Sequence, residues 1–161
     1  MIAVECSVPV VEDLLDAYVG KNKYKITKKS NTCMEYSAYN DQLLIMACDM
    51  FAEELTPELI GGLVSFVWDR AALTALHPAD HHRYIEKLQQ LSMLDTHYLM
   101  GVYWHGQQPD QGPPFPISMQ RMVELFPRYK VHKVEEMDAK NERWTGTSYK
   151  ELLELCFLIK I

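Results

Sequence analysis

Glycine is scarce in this chain, with 7 in 161 residues, and none of them form a G-x-G-x-x-G or any other glycine-rich turn between a strand and a helix. A self-contained phosphate cradle of the dinucleotide-binding kind is therefore excluded. The four cysteines, Cys6, Cys33, Cys48 and Cys156, include no C-x-x-C pair, which removes zinc ribbons and dithiol redox motifs. Three of them sit in apolar runs and read as buried free thiols of a reducing compartment; Cys33 alone falls outside the buried strands. Apolar runs are short: Leu59 to Trp68 spans about ten residues, against the ~18 of a membrane-spanning helix. Positive charge is also short, with Lys+Arg 16 against Asp+Glu 22 and a net charge of −6, so no pull toward nucleic-acid backbones is expected. The opening Met1-Ile2-Ala3-Val4-Glu5 has no basic n-region, so no secretory signal is expected and a soluble cytoplasmic protein is.

What the chain does have is an ordinary globular composition, 48% hydrophobic and 24% charged. At this length folding buries roughly 70% of the unfolded surface, enough for one core, and the whole of 1–161 reads as a single domain. Ile2–Glu5 is a short buried strand. Val10, Leu14, Leu15 and Tyr18 then recur at helical spacing, with Pro9 in the first turn and Gly20 as a stop. Lys21 to Asp41 is polar and basic, a hairpin or long loop. Leu43–Cys48 and Leu63–Trp68 are apolar strands, separated by a helical turn at Thr56-Pro57-Glu58 that Gly61-Gly62 breaks. A helix starts at Pro78 with His77 or a neighbour as cap, and places Tyr84, Ile85, Leu88 and Leu91 on one face. Thr96–Trp104 is a strand. Ser118 caps a helix that buries Met122, Leu125 and Phe126. Arg128–Met137 and Tyr149–Ile161 close the chain as strands, with Leu153, Leu155, Phe157 and Ile159 on one face. Alternation of strands and helices predicts an α/β fold with a mostly parallel sheet and a β-hairpin from the terminal pair.

Three apolar strands end in an acid: Glu5, Asp49 and Asp69. In open α/β sheets ligands sit beyond the carboxyl ends of strands, and an acid there accepts hydrogen bonds from both ribose hydroxyls of a nucleotide-like ligand. Each acid alone reads more simply as a cap for the following helix; the series favours the ligand. His77 and His81 lie at i,i+4 beside Asp80 and His82, a spacing that can hold zinc, but there is no intervening Glu and no third ligand. A catalytic cysteine is less favoured still.

The block Val67-Trp68-Asp69-Arg70-Ala71-Ala72-Leu73-Thr74-Ala75-Leu76, followed by Pro78 and Tyr84, resembles the thiopurine S-methyltransferase family. So do Gly112-Pro113-Pro114-Phe115 after Tyr103-Trp104, and Glu135-Glu136-Met137-Asp138-Ala139 leading to Glu142-Arg143. Val4-Glu5-Cys6-Ser7 and Cys48-Asp49-Met50-Phe51 fit in order. The resemblance implies a Rossmann-like class I methyltransferase fold using S-adenosyl-L-methionine to methylate small aromatic or heterocyclic thiols. It places Glu5 on the cofactor ribose, Asp49 and Met50 beside the adenine, and Arg70 near both cofactor and acceptor. Pro113, Pro114 and Phe115 become an apolar wall of the acceptor pocket, and Arg143 a cation facing the acceptor; Arg70 and Arg143 are the catalytic candidates. The family's first strand and its glycine-rich cofactor loop have no counterpart in the sequence, and that strand belongs between Ile2–Glu5 and Leu63–Trp68. The expectation is thus an N-terminally truncated methyltransferase domain, a monomer when complete. The alternative is a non-catalytic truncated paralogue acting through protein contacts.

Overall fold

A computed structural model of the chain describes residues 1–106, 111–140 and 149–161. It divides into two compact units, Met1–Leu63 and Val64–Ile161, each built on its own four-stranded sheet.

In the first unit the sheet runs β1 (Ile2–Glu5), β4 (Leu43–Ala47), β3 (Met34–Ala38), β2 (Lys25–Lys28). β1 is parallel to β4, with Ile2 opposite Leu44 and Glu5 opposite Ala47, so both strands finish at the same edge. The basic segment after Lys21 forms the hairpin β2–β3, with Lys28 opposite Met34. All four residues of β2 are exposed; its lysines discourage pairing of this outermost strand with another chain. Helix α1 (Val8–Tyr18) lies between β1 and the hairpin in sequence and packs Val11 and Leu15 against Tyr36, Ile45 and Ala47. Of the expected row only Leu15 is buried; Val10, Leu14 and Tyr18 are exposed. The helix carries two adjacent apolar rows, 10-14-18 and 11-15, and periodicity alone cannot choose between them. The polar neighbours do: Glu12 accepts a hydrogen bond from the Tyr36 hydroxyl and Asp16 from the Tyr24 hydroxyl, both at 3.0 Å, which turns the 11-15 row onto the sheet. A short helix, α2 (Pro57–Ile60), is capped by Thr56 and ended by Gly61 in the left-handed region at φ 88°.

The second unit's sheet runs β5 (Val64–Arg70), β6 (Ser92–Trp104), β8 (Leu153–Lys160), β7 (Lys130–Asp138). β5 is parallel to β6, and the other two pairings are antiparallel. The terminal pair expected at one edge is β7 with β8, and the inward face of β8 buries Leu155, Phe157 and Ile159 as its alternation requires. Helix α3 (Ala72–Ala75), a 3₁₀ turn at Pro78–Asp80, α4 (His81–Gln90) and α5 (Met119–Leu125) complete it. α4 buries Tyr84, Ile85 and Leu88, and Ser118 caps α5 by accepting from the Arg121 N–H at 3.1 Å. Tyr98, Phe126 and Tyr129 form a mutual aromatic cluster with ring centroids 5.4 to 5.8 Å apart.

Two expectations need correcting. Only two of the six strand pairings are parallel, so the sheets are mixed, not mostly parallel. Parallel neighbours need a crossover between them, and the chain spends β2–β3–β4 and β7–β8 on direct antiparallel returns. The apolar run Leu63–Trp68 is also less buried than its composition predicts: Phe66 and Trp68 on β5 are exposed, Trp68 at 66%. β1 and β5 are each outermost in their sheet, paired on one side only among the described residues.

Candidate cofactor and acceptor site

In the first unit the parallel pairing of β1 and β4 decides where the carboxylates go. Glu5 ends β1 opposite Ala47, the last residue of β4, and Asp49 stands two residues beyond that strand's end. Parallel neighbours lie ~4.8 Å apart, so both acids occupy one carboxyl edge, beside half-buried Met50. One oxygen of each is used locally. Glu5 Oε1 accepts from the Ser7 N–H at 2.8 Å and from the Cys6 thiol at 3.5 Å, while Asp49 Oδ1 accepts from the Phe51 N–H at 2.8 Å. A carboxylate has about four lone-pair sites, so acceptor capacity remains on both.

In the second unit Asp69 is the third strand-end acid, and for it the helix-cap reading holds. The residue is 4% exposed, and its carboxylate accepts from the N–H groups of Ala72 at 2.7 Å and Leu73 at 3.2 Å. Burial pushes the Asp69 carboxyl up, opposed by those N–H donors and by the Tyr84 hydroxyl; burial and the Asp69 charge push Tyr84 up in turn. This anchor fixes the turn that leads out of β5. Ala71 sits in the left-handed region at φ 68°, its N–H donating to the Gly101 carbonyl at 2.7 Å. The Arg70 side chain, about half exposed, reaches Glu154 at 3.8 Å and not Asp69. That separation makes a loose surface pair.

The Gly112–Phe115 segment of the same unit is fastened inward. The Phe115 N–H donates to the Thr74 carbonyl at 2.6 Å, His105 Nε2 donates to the Pro114 carbonyl at 2.8 Å, and His77 meets the Phe115 ring edge-on at 5.5 Å. Gly112 is required there, since a Cβ would lie 2.6 Å from the Phe115 ring. The Gly112–Pro113 and Pro113–Pro114 peptide bonds are cis. Pro114 and Phe115 are buried and Pro113 is exposed, so only part of the expected wall faces outward. Nearby in sequence, Trp104, Ser118, Met119, Glu136, Leu153 and Leu155 line a cavity of about 240 Å³ that no sequence motif singles out. Trp104 and Leu153 are cross-strand partners, a register no sequence pattern reveals. Arg143 and Glu142 lie outside the described residues.

Two histidines of the His77–His82 cluster are engaged in structure. His77 Nδ1 accepts from the Ala79 N–H at 3.3 Å, and His81 Nε2 donates to the Leu76 carbonyl at 3.0 Å. No group of three metal-ligating side chains occurs among the described residues. No helix among them is long and apolar enough to cross a membrane. Of the three cysteines expected to be buried only Cys48 is; Cys156 is half-buried and Cys6, in the turn after β1, is exposed, whereas Cys33 is buried. The burial of Cys33 contradicts its expected place outside the core, because it leads directly into β3 at Met34, beside the end of β4.

The chain is similar in fold to part of two solved methyltransferases. One, the 1,6-didemethyltoxoflavin-N1-methyltransferase of Burkholderia thailandensis with bound S-adenosylhomocysteine, matches 99% of the chain and 60% of its own at TM-score 0.58 and 11% identity. The other, a type 11 methyltransferase of Sulfolobus solfataricus described as putative, matches 99% and 70% at TM-score 0.51 and 10% identity. The fold is therefore that of the class I methyltransferases, Rossmann-like. Within that class, the family model for thiopurine S-methyltransferase matches residues 1–158. The chain belongs to the thiopurine S-methyltransferase family. The thiopurine S-methyltransferase of Mus spretus is 28% identical over 125 residues, 77% of this chain and 51% of the relative. That of Methylococcus capsulatus is 36% identical over 87 residues, 53% of this chain and 39% of the relative. The chain spans about half the length of the curated relatives it matches.

Proposed function

We propose that the chain supplies the ribose, adenine and acceptor contacts of an S-adenosyl-L-methionine-dependent methyltransferase for small aromatic or heterocyclic thiols, its 161 residues forming one domain. The observation that carries this reading is the pair of carboxylates, Glu5 and Asp49, at one carboxyl edge of two parallel strands. Glu5 would accept from the ribose hydroxyls, with Asp49 and Met50 at the adenine. At the other end of the cofactor the fit fails, because the sequence has no glycine-rich strand-to-helix turn to let backbone approach the methionyl group.

When bound, S-adenosyl-L-methionine supplies a methyl group already activated on a sulfonium. The protein's part is alignment and charge. Arg70, held only loosely by Glu154, offers a cation that favours the ionised form of an acceptor thiol, whose proton leaves to solvent. Arg143 serves the same purpose, and Pro113, Pro114 and Phe115 the apolar side of the acceptor. In this reading a further strand completes the fold, and the complete enzyme is a cytoplasmic monomer. Without that strand, S-adenosylmethionine binds weakly or not at all and turnover is absent.

Calorimetric titration with S-adenosylhomocysteine and a thiol methylation assay test this. Expected are weak heats that Glu5→Gln and Asp49→Asn diminish further, and no turnover by the 161-residue chain. Turnover by that chain would remove the need for a further strand, and binding indifferent to both substitutions would end the ribose and adenine assignments. The exposed Phe66 and Trp68 on the free edge of β5 favour a second reading, a non-catalytic paralogue acting through protein contacts. It predicts no methylation even when the missing strand is supplied as part of a longer chain.

A further inference from the structure

The antiparallel register of β3 and β4 pairs Met34 with Ala47, Glu35 with Met46 and Tyr36 with Ile45. One step beyond the last pair, the same register sets Cys33 opposite Cys48. Tyr36, Ile45 and Ala47 face α1, so alternation along the strands puts Cys48, with Met46, on the other face of the sheet. Both cysteines are nearly inaccessible, at 1% and 3% exposure, and both are free. Directly opposed residues of an antiparallel pair have Cα atoms about 4.5 to 5.5 Å apart, within the ~4.4–6.8 Å that a disulfide spans. We propose that Cys33 and Cys48 are a redox modification site, a cross-strand dithiol that a peroxide converts to a disulfide.

Burial is the largest influence on both thiols and pushes each above its ordinary value. Cys48 is pushed to about 12, and at Cys33 the Glu54 and Glu35 carboxylates oppose ionisation more than the Lys29 ammonium favours it. Whichever sulfur attacks, its neighbour across the register is placed to resolve. The thiolate of one cysteine attacks one peroxide oxygen, giving a sulfenic acid and hydroxide; the sulfur of the other then attacks the sulfenic sulfur, forming the S–S bond and releasing water. In sum, two thiols and one hydrogen peroxide give one disulfide and two waters. Hydrogen peroxide is small and uncharged, which suits so enclosed a pair. The bond would clamp the end of β4 immediately before Asp49.

The test uses the full chain with Cys6→Ser and Cys156→Ser, which leaves only the buried pair. After hydrogen peroxide treatment and removal of the excess, the expected result is a mass lower by 2 Da, loss of both thiols to a thiol reagent in denaturant, and a cross-linked peptide joining the segments around Cys33 and Cys48. Dithiothreitol should restore both thiols, and the oxidised form should melt at higher temperature. Adding Cys33→Ala should abolish the 2 Da loss. Retention of both thiols by the folded, treated protein overturns the proposal, as does progression to sulfinic acid without a cross-link. Because the readout is mass and thiol content, the outcome is independent of whether the chain binds a nucleotide.

Discussion

Glu5 and Asp49 in the first unit each hold one N–H of their own turn and keep the rest of the carboxylate free, whereas Gly112–Phe115 in the second unit is tied to interior atoms at Thr74, His105 and His77. The difference is one of coupling between site and scaffold. Strand-end carboxylates that support little else can be replaced without disturbing the fold, so their substitution reports on ligand binding alone. A loop pinned by buried hydrogen bonds and an aromatic contact cannot be altered without also moving the helix and strand it joins. Loss of a site and loss of stability are separable in the first unit and entangled in the second.

The largest break in this comparison is expected from Phe115→Ala, which empties a buried aromatic site and should destabilise by about 3–5 kcal/mol in chemical denaturation. A loss below about 1 kcal/mol would show that the loop is not fastened as described. Within the first unit, Leu15→Ala should cost about 2–5 kcal/mol, while Leu14→Ser one position away should change stability by roughly 0.5 kcal/mol or less. Reversal of that order would restore the 10-14-18 row as the buried one. Asp69→Ala removes two caps from α3 and strands the Tyr84 hydroxyl, an expected loss of about 2 kcal/mol.

A smaller effect is expected from His81. Burial holds its ring below the usual value of 6.5, so the folded chain keeps it neutral while the unfolded chain binds a proton. Its contribution is therefore fully present above about pH 6.5 and is lost as pH falls from there toward the folded value. Denaturation midpoints measured from about pH 7.5 to about pH 5.5 should fall, and His81→Gln should flatten that slope. The smallest stability change sharpens the contrast most: Glu5→Gln and Asp49→Asn should each alter stability by less than about 0.5 kcal/mol. Unfolding by either would place these acids in the scaffold and not in a site.

Local signals were legible wherever one segment decides its own structure. The Thr56 and Ser118 caps, the Gly61 stop, the buried face of α4 and the alternation of β8 all derive from spacing and side-chain chemistry. Pairing was not. Whether β2–β3 is a loop or a hairpin, which row of α1 faces inward and how many strands run parallel depend on partners distant in sequence. The same limit applies at the site. The strand-end acids could be found as acids following apolar runs, but the division of labour between Asp69 as cap and Asp49 as exposed carboxylate needed the burial of one and not the other. The Cys33–Cys48 pairing and the Trp104–Leu153 cavity were invisible for the same reason, since each is made by register.

Ala71 carries a consequence for how this sequence can drift. A left-handed φ of 68° directly after Arg70 confines that position to a narrow set of replacements. Glycine enters freely, and asparagine or aspartate at modest cost, but valine, isoleucine and threonine are shut out by their branched Cβ. An alanine there already bears about 1 kcal/mol of conformational strain, so exchange with glycine is the open route and a branched residue is a dead end. Variation at this single position would thus be lopsided, and a library of all residue types at Ala71 should return folded protein from only a handful.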